Sequence, residues 1–183
     1  MLTTNTPAKR SKTETKTETK TGTKTPQDAI GMLTADHKKV KKLFKEFEDV
    51  ADSKATASKA ELAEKICMEL TTHARLEEEI FYPAVRKAIA DNRLMNEAEV
   101  EHASAKDLIA QIQALPASDP MFAAKVTVLG EYIDHHVKEE ESEMFAQARK
   151  TKLDMMALGE EMMRRKEELS ASNHAEGTGD PRH

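Results

Sequence analysis

The chain has 183 residues, of which 33% are charged and 4% aromatic, and its formal net charge is -5. This length allows one ordinary domain with tails, and the charged, aromatic-poor composition favours a helical protein. No stretch approaches the roughly 18 apolar residues that a membrane-spanning helix needs, and the N-terminus lacks the apolar core of a secretory signal, so we expect a cytoplasmic protein without membrane contact. Cys67 is the only cysteine, which excludes an internal disulfide and a cysteine-rich metal knuckle.

The first 25 residues form a low-complexity segment in which threonine alternates with lysine, glutamate or glycine from Lys12 to Thr25. They carry six basic and two acidic residues, a balance of +4, which leaves -9 on the rest of the chain. With nothing to bury, this segment is expected to be disordered. We interpret it as a solvating tail, with a weak tether to an anionic partner as the alternative. The acidic remainder argues against a nucleic-acid partner.

Four helices and a shorter fifth follow from the spacing of apolar residues and of helix-ending signals. We predict the first helix from Pro26 (with Thr25 as its cap) to about Val50 and the second from roughly Ser58 to Ala90. The third follows the Asp91-Asn92 turn and ends before Pro116, the fourth starts after Ser118-Asp119-Pro120 and reaches about Ala148, and the fifth lies near Thr151 to Leu169. The predicted organisation is a disordered tail over 1–25, a four-helix metal-binding domain over 26–150, an additional amphipathic helix over 151–170 and a flexible end over 171–183. We expect the fifth helix to cover its own bundle, with a dimer contact as the alternative.

Each of the first four predicted helices has one apolar face, and each of these faces includes a histidine. Steps of three and four residues place His37, His73, His102 and His136 among the apolar positions of their helices. Glu77 and Glu140 follow the second and fourth of these histidines by four residues, one helical turn. Because a buried carboxylate without partners costs several kcal/mol, these six side chains must satisfy one another or a bound cation.

The spacing of the histidines repeats, with 36 residues from His37 to His73 and 34 from His102 to His136. Two helical hairpins of similar design would pack into one four-helix bundle with its ligands pointing inward. Four imidazoles and two bridging carboxylates would fill roughly eight of the twelve positions of two octahedral ions, which leaves positions open. A mixture of imidazole and carboxylate favours iron, with manganese less favoured, whereas zinc usually takes four tetrahedral ligands.

A second helical phase is available on the fourth helix, where His135 and Glu139 are also four residues apart. We prefer His136 and Glu140, since the line through Val128, Tyr132 and His135 is less apolar. Tyr82 and Tyr132 lie near enough to the site in helix phase to donate hydrogen bonds to its ligands, but we expect packing or an exposed hydroxyl for both.

Several motifs together resemble the hemerythrin HHE cation-binding family: Asp36-His37-Lys38-Lys39-Val40, the run from His73 to Pro83, Glu101-His102 and the run from His135 to Glu141. The resemblance covers roughly Gln27 to Lys150. It implies an all-α protein, an antiparallel up-down four-helix bundle with the extra C-terminal helix and disordered N-terminal tail described above. It also implies a non-haem centre of two iron ions with an oxo or hydroxo bridge, and ligand roles for His37, His73, Glu77, His102, His136 and Glu140.

The resemblance implies oxygen, peroxide or nitric oxide as the small ligand. Oxygen-carrying members have a further histidine where this chain has Lys106. The similar iron-sulfur repair proteins usually carry a cysteine-bearing segment before the bundle, whereas the N-terminal segment here has no cysteine. We therefore expect a protein that binds or decomposes a small oxidant, with catalase- or peroxidase-like activity suited to a stress response. The alternatives are an oxygen, nitric oxide or iron sensor without turnover, and a purely structural bundle. The sequence leaves monomer and homodimer open.

Overall fold

The computed structural model describes residues 27–90 and 92–176, with side chains up to residue 172, and it contains no strand within these ranges. Its elements, in order, are α1 (Ala29–Ala51), α2 (Thr56–Leu76), a π-helical turn π1 (Glu77–Phe81), α3 (Tyr82–Ala88), α4 (Arg93–Gln113), α5 (Pro120–Glu139), a second π-helical turn π2 (Glu140–Met144), α6 (Phe145–Ala148) and α7 (Met155–Glu176). The predicted tail over 1–25 and the residues beyond 176 lie outside the described ranges.

The bundle is antiparallel, with two long helices that are each interrupted by one π-helical turn. The second long helix runs through α2, π1 and α3, and the fourth runs through α5, π2 and α6. Helix α1 packs against α2 and α5, and α4 packs against α5 and α2. The predicted all-α four-helix bundle with an extra C-terminal helix is confirmed.

The predicted start of the first helix is wrong. Helix α1 begins at Ala29 rather than at Pro26, and its cap is Asp28. The Asp28 carboxylate accepts a hydrogen bond of 2.6 Å from the backbone N–H of Gly31, which satisfies one of the donors left free at a helix N-terminus.

The core consists of two apolar clusters with a polar layer between them. One cluster includes Leu33, Leu76, Ala98 and Met144, and the other includes residues such as Val40, Leu70, Ala105 and Leu129. The four candidate histidines fall in the chain between members of the two clusters, on all four long helices. The bundle therefore places its buried polar side chains in one layer at mid-height.

Helix α7 packs on the outside of this bundle against α1, α2 and π1, as we expected of the fifth helix. Met162 and Leu169 are its buried hydrophobic side chains, among those described. The helix begins at Met155, later than predicted, because the Asp154 carboxylate accepts hydrogen bonds from the N–H groups of Met156 and Ala157 and so acts as the cap. None of the described helices combines the length and apolarity needed to cross a membrane.

Candidate metal centre

The six residues predicted from the sequence all lie buried in the polar layer of the bundle. The four histidines are 5–6% exposed and the two glutamates 0–2% exposed. Each histidine comes from a different long helix, and each glutamate is the first residue of a π-helical turn. The side chains are His37, His73, Glu77, His102, His136 and Glu140.

The six side chains form two groups that share Glu77. In the first group, His37, His73, Glu77 and Glu140 have ligand atoms within 4.8 Å of one another, and in the second group Glu77, His102 and His136 do. The Nε2 atoms of His37 and His73 are 3.1 Å apart, and those of His102 and His136 are 3.2 Å apart. Glu77 reaches both pairs, with Oε1 3.2 Å from His73 Nε2 and Oε2 3.4 Å from His102 Nε2.

These distances suit two transition-metal ions. Two nitrogen donors about 2.1 Å from one ion and at right angles to each other lie about 3.0 Å apart, close to both Nε2 separations. Both oxygens of Glu77 and Oε2 of Glu140 are buried without a hydrogen-bond partner among the described residues. Because unpartnered buried carboxylate oxygens are costly, the donor set fits a pair of cations.

The charges of the buried residues are strongly coupled. Burial and the neighbouring charge of Glu77 raise the pKa of Glu140 to about 7. Burial opposes ionisation of Glu77 as well, but its contacts with His73 and His102 hold its pKa below the usual range. Burial alone would lower the pKa of His73, yet the charge of Glu77 and its other acidic neighbours raise it to about 10. Burial and the charge of Glu77 thus favour a proton on Glu140 in the metal-free protein, which a bound cation would displace.

The outer nitrogens of the four histidines face a set of carboxylates that the sequence analysis missed. The distances are 2.8 Å from His37 Nδ1 to Glu141, 2.9 Å from His102 Nδ1 to Glu78 and 2.6 Å from His136 Nδ1 to Glu101. Such bonds keep the outer nitrogen protonated and turn Nε2 inward. The sequence contains a signal for these carboxylates, because each of them stands directly beside a candidate ligand in the chain: Asp36-His37, Glu77-Glu78, Glu101-His102 and Glu140-Glu141.

His73 is the exception among the four. Its Nδ1 is 3.8 Å from Asp36 Oδ2, beyond hydrogen-bond distance, and it has no hydrogen-bond partner. Asp36 instead accepts two bonds of 2.6 Å from Lys166 Nζ on α7. Helix α7 therefore holds the carboxylate that faces this histidine.

Tyr82 lies at the centre, which differs from the packing or exposed position expected of it. The side chain is 3% exposed, and its hydroxyl donates to Glu140 Oε1 at 3.1 Å and lies 3.4 Å from His102 Nε2. The π-helical turn before it explains the position. The Tyr82 N–H donates to the carbonyl of Glu77, five residues earlier, so the turn contains one extra residue. This extra residue brings both Phe81 and Tyr82 into the buried interior.

The alternative helical phase lies at the surface. The side chains of His135 and Glu139 are 63% and 43% exposed, and their closest ion-pair distance is 3.4 Å. Tyr132 is half-buried. The buried layer contains His136 and Glu140, the phase preferred from the apolar pattern.

A small cavity of about 30 Å³ adjoins the four histidines. Its remaining walls are mostly apolar and come from all four long helices: Val40, Leu70, Ala105, Ile109, Ile133 and Val137. A site for one water molecule needs roughly 10–15 Å³ on the same measure, so the space admits a ligand of only a few atoms.

The family model of the hemerythrin HHE cation-binding domain matches residues 28–148 of this chain. The chain belongs to the hemerythrin HHE cation-binding family. A crystal structure of an HHE cation-binding domain-containing protein from Mycobacterium kansasii is similar in fold, with a TM-score of 0.70 at 23% identity over 85% of this chain and 95% of that one. A curated relative from Nostoc sp., named DNA nickase, is 37% identical over 123 residues, which are 67% of this chain but only 33% of the relative.

Lys106, which stands where oxygen-carrying family members are expected to have a further histidine, lines the 30 Å³ cavity. Its ammonium group donates to both oxygens of Glu78, at 2.7 Å to Oε1 and 2.5 Å to Oε2. Oε1 is also the oxygen that lies 2.9 Å from His102 Nδ1. Lys106 therefore stabilises an outer carboxylate of the centre.

Proposed function

We propose that this HHE protein is a non-haem di-iron protein that binds or decomposes a small oxidant, namely oxygen, peroxide or nitric oxide. The observation that carries the proposal is the pair of ligand groups that share Glu77, with its two buried oxygens left without hydrogen bonds. His37, His73, Glu77 and Glu140 would hold one ion, and Glu77, His102 and His136 the other. Imidazole with carboxylate suits iron best and manganese next.

The two ions would have unequal protein ligand sets. The first group contains four residues and the second contains three, so the second leaves more positions for a ligand. When bound, iron would supply a change of oxidation state and open coordination positions. Only Glu77 belongs to both groups, which supports one bridging carboxylate rather than the two expected from the sequence.

The residues around the centre would select and orient the ligand. The apolar walls of the 30 Å³ cavity exclude bulk water and larger molecules. Burial and the charge of Glu140 raise the pKa of Tyr82 well above its ordinary value, so its hydroxyl keeps its proton and can donate a hydrogen bond beside His102. The outer carboxylates hold three of the four imidazoles in orientation.

A small molecule is the partner that these residues support best. The lysine-rich face of α1, which could suggest a polyanion, is largely engaged in ion pairs: Lys39 with Glu69, Lys41 with Asp134 and Lys42 with Glu46. We therefore do not propose the activity in the printed name of the Nostoc relative for this chain.

Metal content tests the proposal first. We expect about two iron ions per chain in protein purified under iron-replete conditions, and loss of the two-metal centre in Glu77→Ala and Glu140→Ala. Glu131→Ala is the matched control, since Glu131 is an exposed carboxylate on α5 outside both groups. Well under one transition metal per folded chain, or equal losses in all three variants, would contradict the proposal.

Reaction with peroxide tests the chemistry. The reduced and oxidised di-iron protein is mixed with peroxide under anaerobic conditions while the optical spectrum and oxygen release are followed, with His73→Ala as the control. We expect a spectral change with oxygen release. No response to peroxide, oxygen or nitric oxide would eliminate both the enzyme and the sensor.

A sensor without turnover is the second candidate, and one observation favours it. Helix α7 is joined to the surroundings of the centre by Lys166 to Asp36 and by Arg165 to Glu79. A change at the centre could reach the protein surface through these two pairs. A spectral change without catalytic oxygen release would favour this function.

A further inference from the structure

Three side chains outside the buried centre form a second group with metal-ligand geometry. Glu101 on α4 and His135 and Glu139 on α5 have ligand atoms within 4.8 Å of one another. His135 and Glu139 are one helical turn apart and 63% and 43% exposed, while the Glu101 side chain is 18% exposed. The group combines one imidazole with carboxylates from two helices, and it opens to solvent.

This group is directly connected to the buried centre. Glu101 Oε2 is 2.6 Å from His136 Nδ1, so one carboxylate belongs to the exposed group and also orients a candidate ligand of the centre. The other oxygen of Glu101 remains for a cation. His135 and Glu139 each precede a residue of the buried layer, His136 and Glu140, by one position.

A narrow cavity, called below the Glu139–Glu140 passage, is lined by residues of both the exposed group and the buried centre. Its volume is about 10 Å³, close to that of a single water-sized sphere. Glu101 and Glu139 line it together with the buried His136 and Glu140. Glu140 is 2% exposed, and its Oε2 has no hydrogen-bond partner among the described residues. Glu140 therefore belongs both to the wall of this cavity and to the first ligand group of the buried centre, where its Oε2 lies 3.3 Å from His37 Nε2.

The charges along this passage favour a cation. Glu97 is a fourth carboxylate on the cavity wall, beside Glu101, Glu139 and Glu140, and its nearest described cation is Arg93 at 3.0 Å. Clefts lined by one sign of charge concentrate oppositely charged ions and raise their association rates. Two or three exposed ligands leave most coordination positions to water, so binding there would be weak and readily reversible.

We propose that Glu101, His135 and Glu139 form an exposed capture site for a divalent transition-metal ion, from which the ion enters the buried centre through the Glu139–Glu140 passage. The inference rests on the proposed function, because it assumes that the buried centre takes up metal. His135 and Glu139, which lie at the surface beside the buried centre, thus have a role in metal loading.

Cobalt(II) uptake by the metal-free full chain tests the inference, because bound cobalt is visible in its absorption spectrum without any catalytic activity. We compare wild type with His135→Ala, which removes a ligand without changing the carboxylate charge, and with Glu139→Gln. Glu131→Gln is the control, because it removes one exposed charge from the same helix without touching the capture site. Equilibrium dialysis gives the stoichiometry, and stopped-flow absorption gives the rate at which the buried centre fills.

We expect two tight equivalents and one weak equivalent of cobalt in wild type. In His135→Ala and Glu139→Gln the weak equivalent disappears, because each variant removes one ligand of the capture site. Filling of the buried centre then slows about tenfold, the low end of the range by which local concentration of an ion raises its association rate, since the ion is no longer retained beside the centre. In Glu131→Gln both properties stay as in wild type. An unchanged filling rate in His135→Ala, or loss of a tight equivalent in that variant, overturns the inference. Wild type that takes up no cobalt at all instead contradicts the proposed function.

Discussion

Replacing Gly159 with alanine tests whether α7 is built to pack on its own bundle. A Cβ atom at this position would lie 2.5 Å from the carbonyl oxygen of Gln27 and 2.9 Å from the backbone nitrogen of Ala29. Both are backbone atoms at the start of α1, so neither can move aside as a flexible side chain could. The clash must separate α7 from α1 or distort one of them.

The magnitude follows from two opposing effects. Alanine in a helix interior is more stable than glycine by roughly 0.5–1 kcal/mol. Overpacking at a close contact costs about 1–3 kcal/mol, and two backbone contacts under 3.0 Å belong at the upper end. We therefore expect Gly159→Ala to lower the free energy of unfolding by about 2–2.5 kcal/mol, which is a fall of roughly 4–10 °C in Tm for a chain of this size.

Gly130→Ala is the matched control in the middle of α5. Its Cβ would lie 3.0 Å from Phe44 Cδ1, an atom of a half-buried side chain. Phe44 and Gly130 both line an open groove of about 520 Å³, so the ring has space to turn away. The higher helix stability of alanine should then outweigh this contact, so we expect Gly130→Ala to raise the free energy of unfolding by between about zero and 1 kcal/mol. Urea unfolding of both variants at equal metal content measures the difference. A Gly159→Ala protein at least as stable as wild type would refute the packing of α7 described above.

Three further results are expected. Removing the metal should lower the free energy of unfolding by about 2.7 kcal/mol, relative to protein measured with free metal at 100 times its Kd. A metal-free protein with the same melting temperature as the metal-bound protein would contradict the ligand assignment. Cys67 is 1% exposed and burial raises the pKa of its thiol to about 11, so at pH 8 the thiol should react with a thiol reagent only after denaturation. Prompt reaction of the native protein would argue against this burial. Lys166→Met should lower the free energy of unfolding by about 1.5–3 kcal/mol, because it leaves the mostly buried Asp36 carboxylate without its cation, whereas Arg165→Met at the more exposed pair with Glu79 should lower it by under about 1 kcal/mol. Equal losses of stability in the two variants, measured by urea unfolding, would indicate that Asp36 is solvated.

The sequence by itself determined the helices and the members of the buried layer. Apolar residues at helical spacing predicted four long helices, because only one face of each can reach the core. His136 could be preferred to His135 on the same basis, since the two are about 100° apart on the helix and only one line continues through Leu129 and Ile133. The six buried ligand candidates were therefore all readable from the pattern.

Only the tertiary structure decided how these residues meet across helices. The pairing of each histidine with its outer carboxylate joins residues up to 104 positions apart, and no local spacing specifies it. The inward position of Tyr82 depends on a π-helical turn that begins at Glu77, and a regular helical pattern does not contain the extra residue. The starts of α1 and α7 are set by the side-chain caps Asp28 and Asp154 rather than by the nearby proline or threonine. Spacing predicts which face of a helix is buried, but a hydrogen bond between helices depends on how those faces pack.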